Sequence, residues 1–237
     1  MMPAMGRFPP GRLLNRFLPP LCAFCSTPTG SSLCCDRCNA LLRRNRVSCG
    51  HCASPMHAAP GSLCGRCQVS PPPYFLAAAP LTYEFPVDAA IKAMKFRRHL
   101  YYLPVFGDLL ASTIAQTFDD IDALVPVPLH RWRHALRGFN QATELCRMIS
   151  RRNGLPIVAT VTRVRATKTQ SGLSAAERRR NLRGAFSVSG PVEFRHLLIV
   201  DDVMTTGATC GQLARVLLAA GADKVSVLTI ARAREAD

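Results

Sequence analysis

From residue 74 onward, short apolar runs alternate with segments whose apolar positions recur every three or four residues. Residues 79–85 and 121–127 predict strands by their apolar, turn-bounded character. Residues 140–152 predict a helix, with Leu145 and Ile149 four apart on one face. Residues 158–164 alternate apolar and polar, 197–200 form an uninterrupted apolar run of the kind buried on both faces of a sheet, and 225–230 predict a last strand. After Thr209, the positions Leu213, Val216, Leu217 and Ala220 mark one helix face, and Gly221 stops it. Strands alternating with helices of this length imply an α/β fold with a mostly parallel sheet flanked by helices.

Before residue 74 this periodicity is replaced by cysteines. Nine of the 11 lie between Cys22 and Cys67, while Cys146 and Cys210 stand alone in helical patterns. The dense region ends at Pro71-Pro72-Pro73, a stiff linker composition, which places a domain boundary between 1–73 and 74–237. Four pairs share a two-residue gap: Cys22 and Cys25, Cys35 and Cys38, Cys49 and Cys52, Cys64 and Cys67. Two such knuckles supply four thiolates for one tetrahedral ion at about 2.3 Å, so eight cysteines predict two zinc ions in a small double zinc ribbon. Sequence order pairs the first two knuckles and the last two; other pairings remain open, and Cys34 could replace Cys35. Four thiolates leave no position for water, so both sites are read as structural. So short a segment builds little core, and metal binding, worth on the order of 10–16 kcal/mol per structural zinc, would supply its folding free energy.

Charge widens the choice of partners without making it. Thirty Lys and Arg against 15 Asp and Glu give +15, which suits phosphates, nucleic acid or an anionic membrane surface. No segment reaches the roughly 18 uncharged apolar residues of a membrane span. Arginines 7, 12 and 16 and four prolines break up the N-terminal apolar positions, leaving no signal-peptide core. The chain is read as cytoplasmic, and its short basic arm could touch the inner membrane face or, the preferred reading, dock on the next domain.

The sharpest chemical signal is LLIVDDVMTTGAT, residues 197–209: an apolar strand, paired acids, then a loop opening a helix. Ligand crevices of α/β sheets lie at the carboxyl ends of strands. There the hydroxyls of Thr205, Thr206 and Thr209, with the helix-terminal amides, can cradle a phosphate dianion. Gly207 allows the backbone an unusual dihedral or a close approach. Asp201 and Asp202 cannot bind phosphate; they suit vicinal ribose hydroxyls or an indirect Mg²⁺ contact. The glycine spacing and lysine of a Walker loop are absent. Between His130 and Arg183 stand 13 Lys and Arg against Glu144 and Glu177 alone, with the single tryptophan, Trp132, among them.

The segment Val200 to Thr209 resembles the signature of type I phosphoribosyltransferases, and Pro126-Val127-Pro128 resembles their pyrophosphate loop. Together with Arg137-Gly138-Phe139-Asn140-Gln141, Thr169-Gln170, residues 178–186 and the cysteine-rich start, the chain from Leu18 onward is similar to the ComF family of competence-associated proteins. The resemblance implies a type I phosphoribosyltransferase-like domain that binds phosphoribosyl pyrophosphate (PRPP) with Mg²⁺. Asp201 and Asp202 would hold the ribose, and Val203, Thr205, Thr206, Gly207, Ala208 and Thr209 the 5′-phosphate. Pro126, Val127, Pro128, Arg137, Gly138, Asn140 and Gln141, with Lys168, Arg178 and Arg183 as a basic cover, would meet the pyrophosphate. It also implies single-stranded DNA handling in natural transformation, beside a helicase-like or recombination partner. Three functions are therefore carried forward: a PRPP-dependent transferase linked to DNA uptake, a non-catalytic DNA-binding accessory that keeps a phosphate site, and a salvage transferase. No nucleobase pocket or acceptor is legible.

Overall fold

The computed structural model describes residues 19–30, 32–59, 61–130, 132, 135, 137–165 and 184–234. Contacts divide the chain after Leu41 into a small unit and a large one beginning at Leu42. In the small unit, a bridge between Leu21 and Pro28 and the helix α1 (Asp36–Leu41) frame the first two knuckles. The large unit begins with the other two knuckles, followed by the short helix α2 (Gly65–Val69). The proline stretch at 71–73 falls inside this unit.

The core is a parallel sheet. Its edge is one interrupted strand, β1 (Ala77–Ala78) and β2 (Leu81–Thr82), both pairing with β7 (Lys224–Arg232). β7 pairs with β6 (His196–Met204), and β6 with β3 (Ala123–Pro126). The central position of β6 explains its sequence: Leu197, Leu198, Ile199 and Val200 are wholly buried because both faces and both edges are covered. On one face, Leu197, Ile199, Val225 and Val227 pack with Leu213 and Leu217 of α6 (Ala208–Ala219). Against the sheet also lie α4 (Leu103–Thr117) and α5 (Gln141–Asn153). These two helices approach closely at Gly107, where an added Cβ would sit 2.6 Å from Met148 Cβ.

The mostly parallel sheet flanked by helices is as the periodicity implied. The structure adds α3 (Val87–Arg97) and α4, which the sequence reading passed over. The 158–164 segment is the short strand β4 (Val161–Arg163), paired antiparallel with β5 (Phe186–Val188) outside the main sheet. The strand expected at 197–200 continues through both aspartates to Met204. Among the described residues no helix is long and apolar enough to cross a membrane.

Candidate functional site

The carboxyl end of β6 delivers Asp201 and Asp202 beside the end of β3, where Val127 N donates to Val200 O at 3.0 Å. Asn140 fixes the next wall. As the N-cap of α5, its Oδ1 accepts from Ala142 N at 3.1 Å, and its Nδ2 donates to Val127 O at 3.0 Å. One side chain therefore starts the helix and pins the Pro126–Pro128 loop to it. On the other side, Gly207 adopts φ +73° and caps α6, so the loop turns sharply into the helix. Thr206 Oγ1 accepts from Ala208 N at 3.3 Å, which holds the loop's shape.

These elements enclose a cleft of about 260 Å³. It brings together Asp201, Asp202, Val203, Thr205, Thr206, Gly207, Ala208 and Thr209 with Val127, Arg137, Asn140 and Gln141. Pro126, Pro128 and Gly138 stand next to lining residues but do not line it. Lys168, Arg178, Arg183 and the Thr169-Gln170 pair lie outside the described residues. Gln141 is informative. It is only 2% exposed, and among the described residues its Nε2 has no hydrogen-bond partner. A buried amide donor left unmet costs about 1–3 kcal/mol, so this group favours an acceptor arriving in the cleft.

The two acids differ in their surroundings. Asp202, 6% exposed, receives Lys95 Nζ of α3 at 2.8 Å. Asp201 accepts the Asp202 amide at 2.9 Å. Burial, then the neighbouring Asp202 carboxylate, push the Asp201 carboxyl up to about 7, against the pull of Lys95. Desolvation works against the Lys95 charge, but the Asp202 carboxylate outweighs it and its pKa is raised. The cleft also receives Tyr83, and Arg163 of β4. Sequence reasoning missed Lys95, Tyr83 and Arg163. Lys95 was findable: Val87, Ile91 and Lys95 fall four apart on one helix stripe, and the first two are fully buried.

The eight knuckle cysteines gather as two groups of four, Cys22, Cys25, Cys35 and Cys38, and Cys49, Cys52, Cys64 and Cys67, each with all sulfurs within 4.8 Å. Across knuckles, the Cys25 and Cys35 sulfurs and the Cys52 and Cys64 sulfurs are 3.7 Å apart. Bonds of about 2.3 Å give a tetrahedral edge near 3.8 Å, so both groups fit a structural zinc ion. Backbone amides are aimed at the sulfurs, Cys35 N at Cys22 Sγ (3.4 Å) and Cys64 N at Cys49 Sγ (3.3 Å). Burial raises the Cys22 and Cys49 thiols, yet these and neighbouring amides of each knuckle, with an adjacent cysteine, outweigh it and bring both to about 6, favouring the thiolate a metal requires. Burial pushes Cys38 and Cys67 upward. Cys34 is outside its cluster. Lone Cys146 and Cys210 are buried in the core.

Fold and site thus define an α/β protein with a cleft at its strand tips and two four-cysteine groups that fit structural zinc. The chain is 37% identical over 224 residues to DNA utilization protein YhgH of Escherichia coli K12, spanning 91% of this chain and 98% of that protein. It is 36% identical over 223 residues to the protein of that name in Salmonella typhimurium, with the same coverage. With Competence protein F of Haemophilus influenzae it shares 32% over 194 residues, 78% of this chain and 84% of that one. The chain belongs to the ComF family that these relatives represent. No family model matches it. Among solved structures, a hypoxanthine phosphoribosyltransferase of Staphylococcus aureus is similar over 57% of this chain and 67% of its own, at 15% identity and TM-score 0.37. A hypothetical protein of Neisseria gonorrhoeae with bound ppGpp is similar over 57% and 72%, at 19% and 0.35.

Proposed function

We propose that this protein binds PRPP in the β6–α6 cleft and acts as a phosphoribosyltransferase serving DNA utilization, with an acceptor still to be identified. The observation that carries this reading is the convergence of the 205–209 loop, the two aspartates and Gln141 on one cleft. The loop amides and hydroxyls would hold the 5′-phosphate, and the aspartates would accept from the ribose hydroxyls. The Pro126–Pro128 loop and Arg137 would meet the pyrophosphate, with Lys168, Arg178 and Arg183 covering it. Mg²⁺ bound with PRPP would neutralise the leaving group. In transfer, the bond from the anomeric carbon to the pyrophosphate oxygen breaks and its electron pair leaves with pyrophosphate. The acceptor's lone pair forms the new bond. Positioning and preorganised charge are the protein's contribution. Pyrophosphate release from PRPP by purified protein, lost in Asp201→Asn/Asp202→Asn, tests the transfer; absence of release with any nucleobase, amine or DNA acceptor tried would leave binding alone.

A second reading, a single-stranded-DNA-binding accessory, is favoured by individually exposed aromatic rings in basic segments of the chain. Phe96 (72% exposed), Tyr101 (52%) and Trp132 (65%) stand in solvent, and Arg97 and Arg98 are exposed beside Phe96. Exposed rings interleaved with arginines suit stacked bases and backbone phosphates. The names of the relatives, DNA utilization and competence proteins, agree with that partner. Affinity for an oligonucleotide that falls steeply with salt supports it, and salt-insensitive binding contradicts it.

A further inference from the structure

The buried arginine at the end of β7 has no role in the cleft described above. Arg232 is fully buried at the end of a strand whose residues after Lys224 are otherwise apolar or small. A guanidinium cannot shed its charge, so its hydration must be replaced by acceptors. Here they are backbone carbonyls from the knuckle, from the loop and from the next residue of the chain. Arg232 Nε donates to Cys52 O at 3.1 Å. Arg232 Nη1 donates to Met204 O at 3.2 Å and, in a shorter bond, to Thr205 O, and also to Ala233 O at 2.8 Å. Cys52 belongs to the second four-cysteine cluster, and Met204-Thr205 is the root of the phosphate loop. One rigid fork therefore spans metal knuckle and loop.

A second link runs in parallel. His51, inside the same knuckle, shares a 2.8 Å hydrogen bond between its Nε2 and Tyr74 O. The buried Tyr74 hydroxyl donates to Met204 Sδ at 3.8 Å. It also lies 3.0 Å from the point a Cβ on Gly207 would occupy. Knuckle and loop thus meet through two side chains that are neither cysteine ligands nor lining residues of the cleft.

We propose that Arg232 and Tyr74 are positioning residues through which the second four-cysteine cluster holds the phosphate loop in its binding shape. The proposal rests on the cleft being a PRPP site, and it makes affinity there depend on that cluster keeping its metal. The Cys49–Cys52 knuckle is ordered by its ion and carries the Cys52 carbonyl and His51 ring with it. Arg232 relays that order to Met204 and Thr205, whose carbonyls it holds at the start of the loop. Losing the metal releases the carbonyl end of the fork and lets the loop relax.

The test uses the full chain with its metal. Calorimetric titration with PRPP and Mg²⁺ compares the parent with Arg232→Met, Arg232→Lys and Tyr74→Phe, with zinc per chain measured in each. All three are expected to keep the parent's zinc and to lose affinity, Arg232→Met by about tenfold or more and the other two by less. Should Arg232→Met fail to fold, the lysine and phenylalanine variants decide alone: parental affinity in both overturns the proposal. Hydrogen exchange of the 204–209 amides, read without ligand, separates this from the binding reading. Faster exchange there after zinc is stripped supports the relay, and unchanged exchange overturns it. A parent that binds no PRPP yet shows the exchange change sinks the PRPP reading and leaves the relay standing.

Discussion

Adjacent in sequence, Asp201 and Asp202 have different chemistry because β6 is a strand and Lys95 forms its 2.8 Å ion pair with Asp202. The proton on Asp201 follows. Its folded pKa, about 7, lies above the ordinary 3.8, so the folded protein holds the proton more tightly than the unfolded chain. That contribution to stability is complete below the ordinary value and is lost as pH rises through about 7. Asp201→Asn removes the dependence. Its melting temperature is expected to exceed the parent's at about pH 8, with the gap closing toward about pH 4; a constant gap would count against the buried-acid account. Gly207 supplies a second residue-scale prediction. At φ +73°, alanine costs roughly 1–2 kcal/mol of backbone strain, and its Cβ would press on the Tyr74 hydroxyl at 3.0 Å. Gly207→Ala should therefore weaken PRPP binding by about tenfold, measured by calorimetry.

At the scale of elements, the apolar run of β6, the Gly207 turn and the periodic face of α6 were legible because burial pattern and loop chemistry are local. The start of α5 was legible for the same reason: Asn140 is a good N-cap, and the helix begins at Gln141. What stayed hidden depends on approach from afar. Lys95 reaches Asp202 from a helix more than a hundred residues earlier, and nothing near Asp202 announces it. β5 was missed because it is three residues long and gains its partner only by folding back on β4. An arginine closing an apolar strand was the visible sign of Arg232, but its acceptors are backbone carbonyls, which carry no sequence signature. The α3–β6 pairing predicts that Lys95→Met leaves Asp202 buried without its cation. Because the Lys95 side chain keeps 22% exposure, the expected loss is roughly 1–3 kcal/mol, below the 3–5 of a fully buried pair. Urea unfolding of the variant measures it, and a loss within error of zero would remove the pair from the account.

For the molecule as a whole, two boundaries answer different questions. The prolines at 71–73 mark where the cysteine-rich composition ends; the contact boundary after Leu41 marks which residues touch. Between the two lies the second cluster, whose neighbours are strapped to the sheet edge: Ala77 N donates to His51 O at 3.0 Å, and Asn45 Nδ2 donates to Ala53 O and Ala79 O. We propose that residues 1–73 nonetheless depend on metal for their folding. Elemental analysis should find two zinc per chain, as the two groups of four sulfurs fit, and chelation should lower the melting temperature; a metal-free protein of unchanged stability would contradict the ribbon assignment. The most direct measurement of the central claim is a calorimetric titration of PRPP with Mg²⁺ into the zinc-loaded full chain, repeated on Asp201→Asn/Asp202→Asn. The parent is expected to bind saturably, one to one, and the double variant to lose affinity by about a hundredfold or more. No heat of binding in the parent, or equal affinity in both, would contradict it.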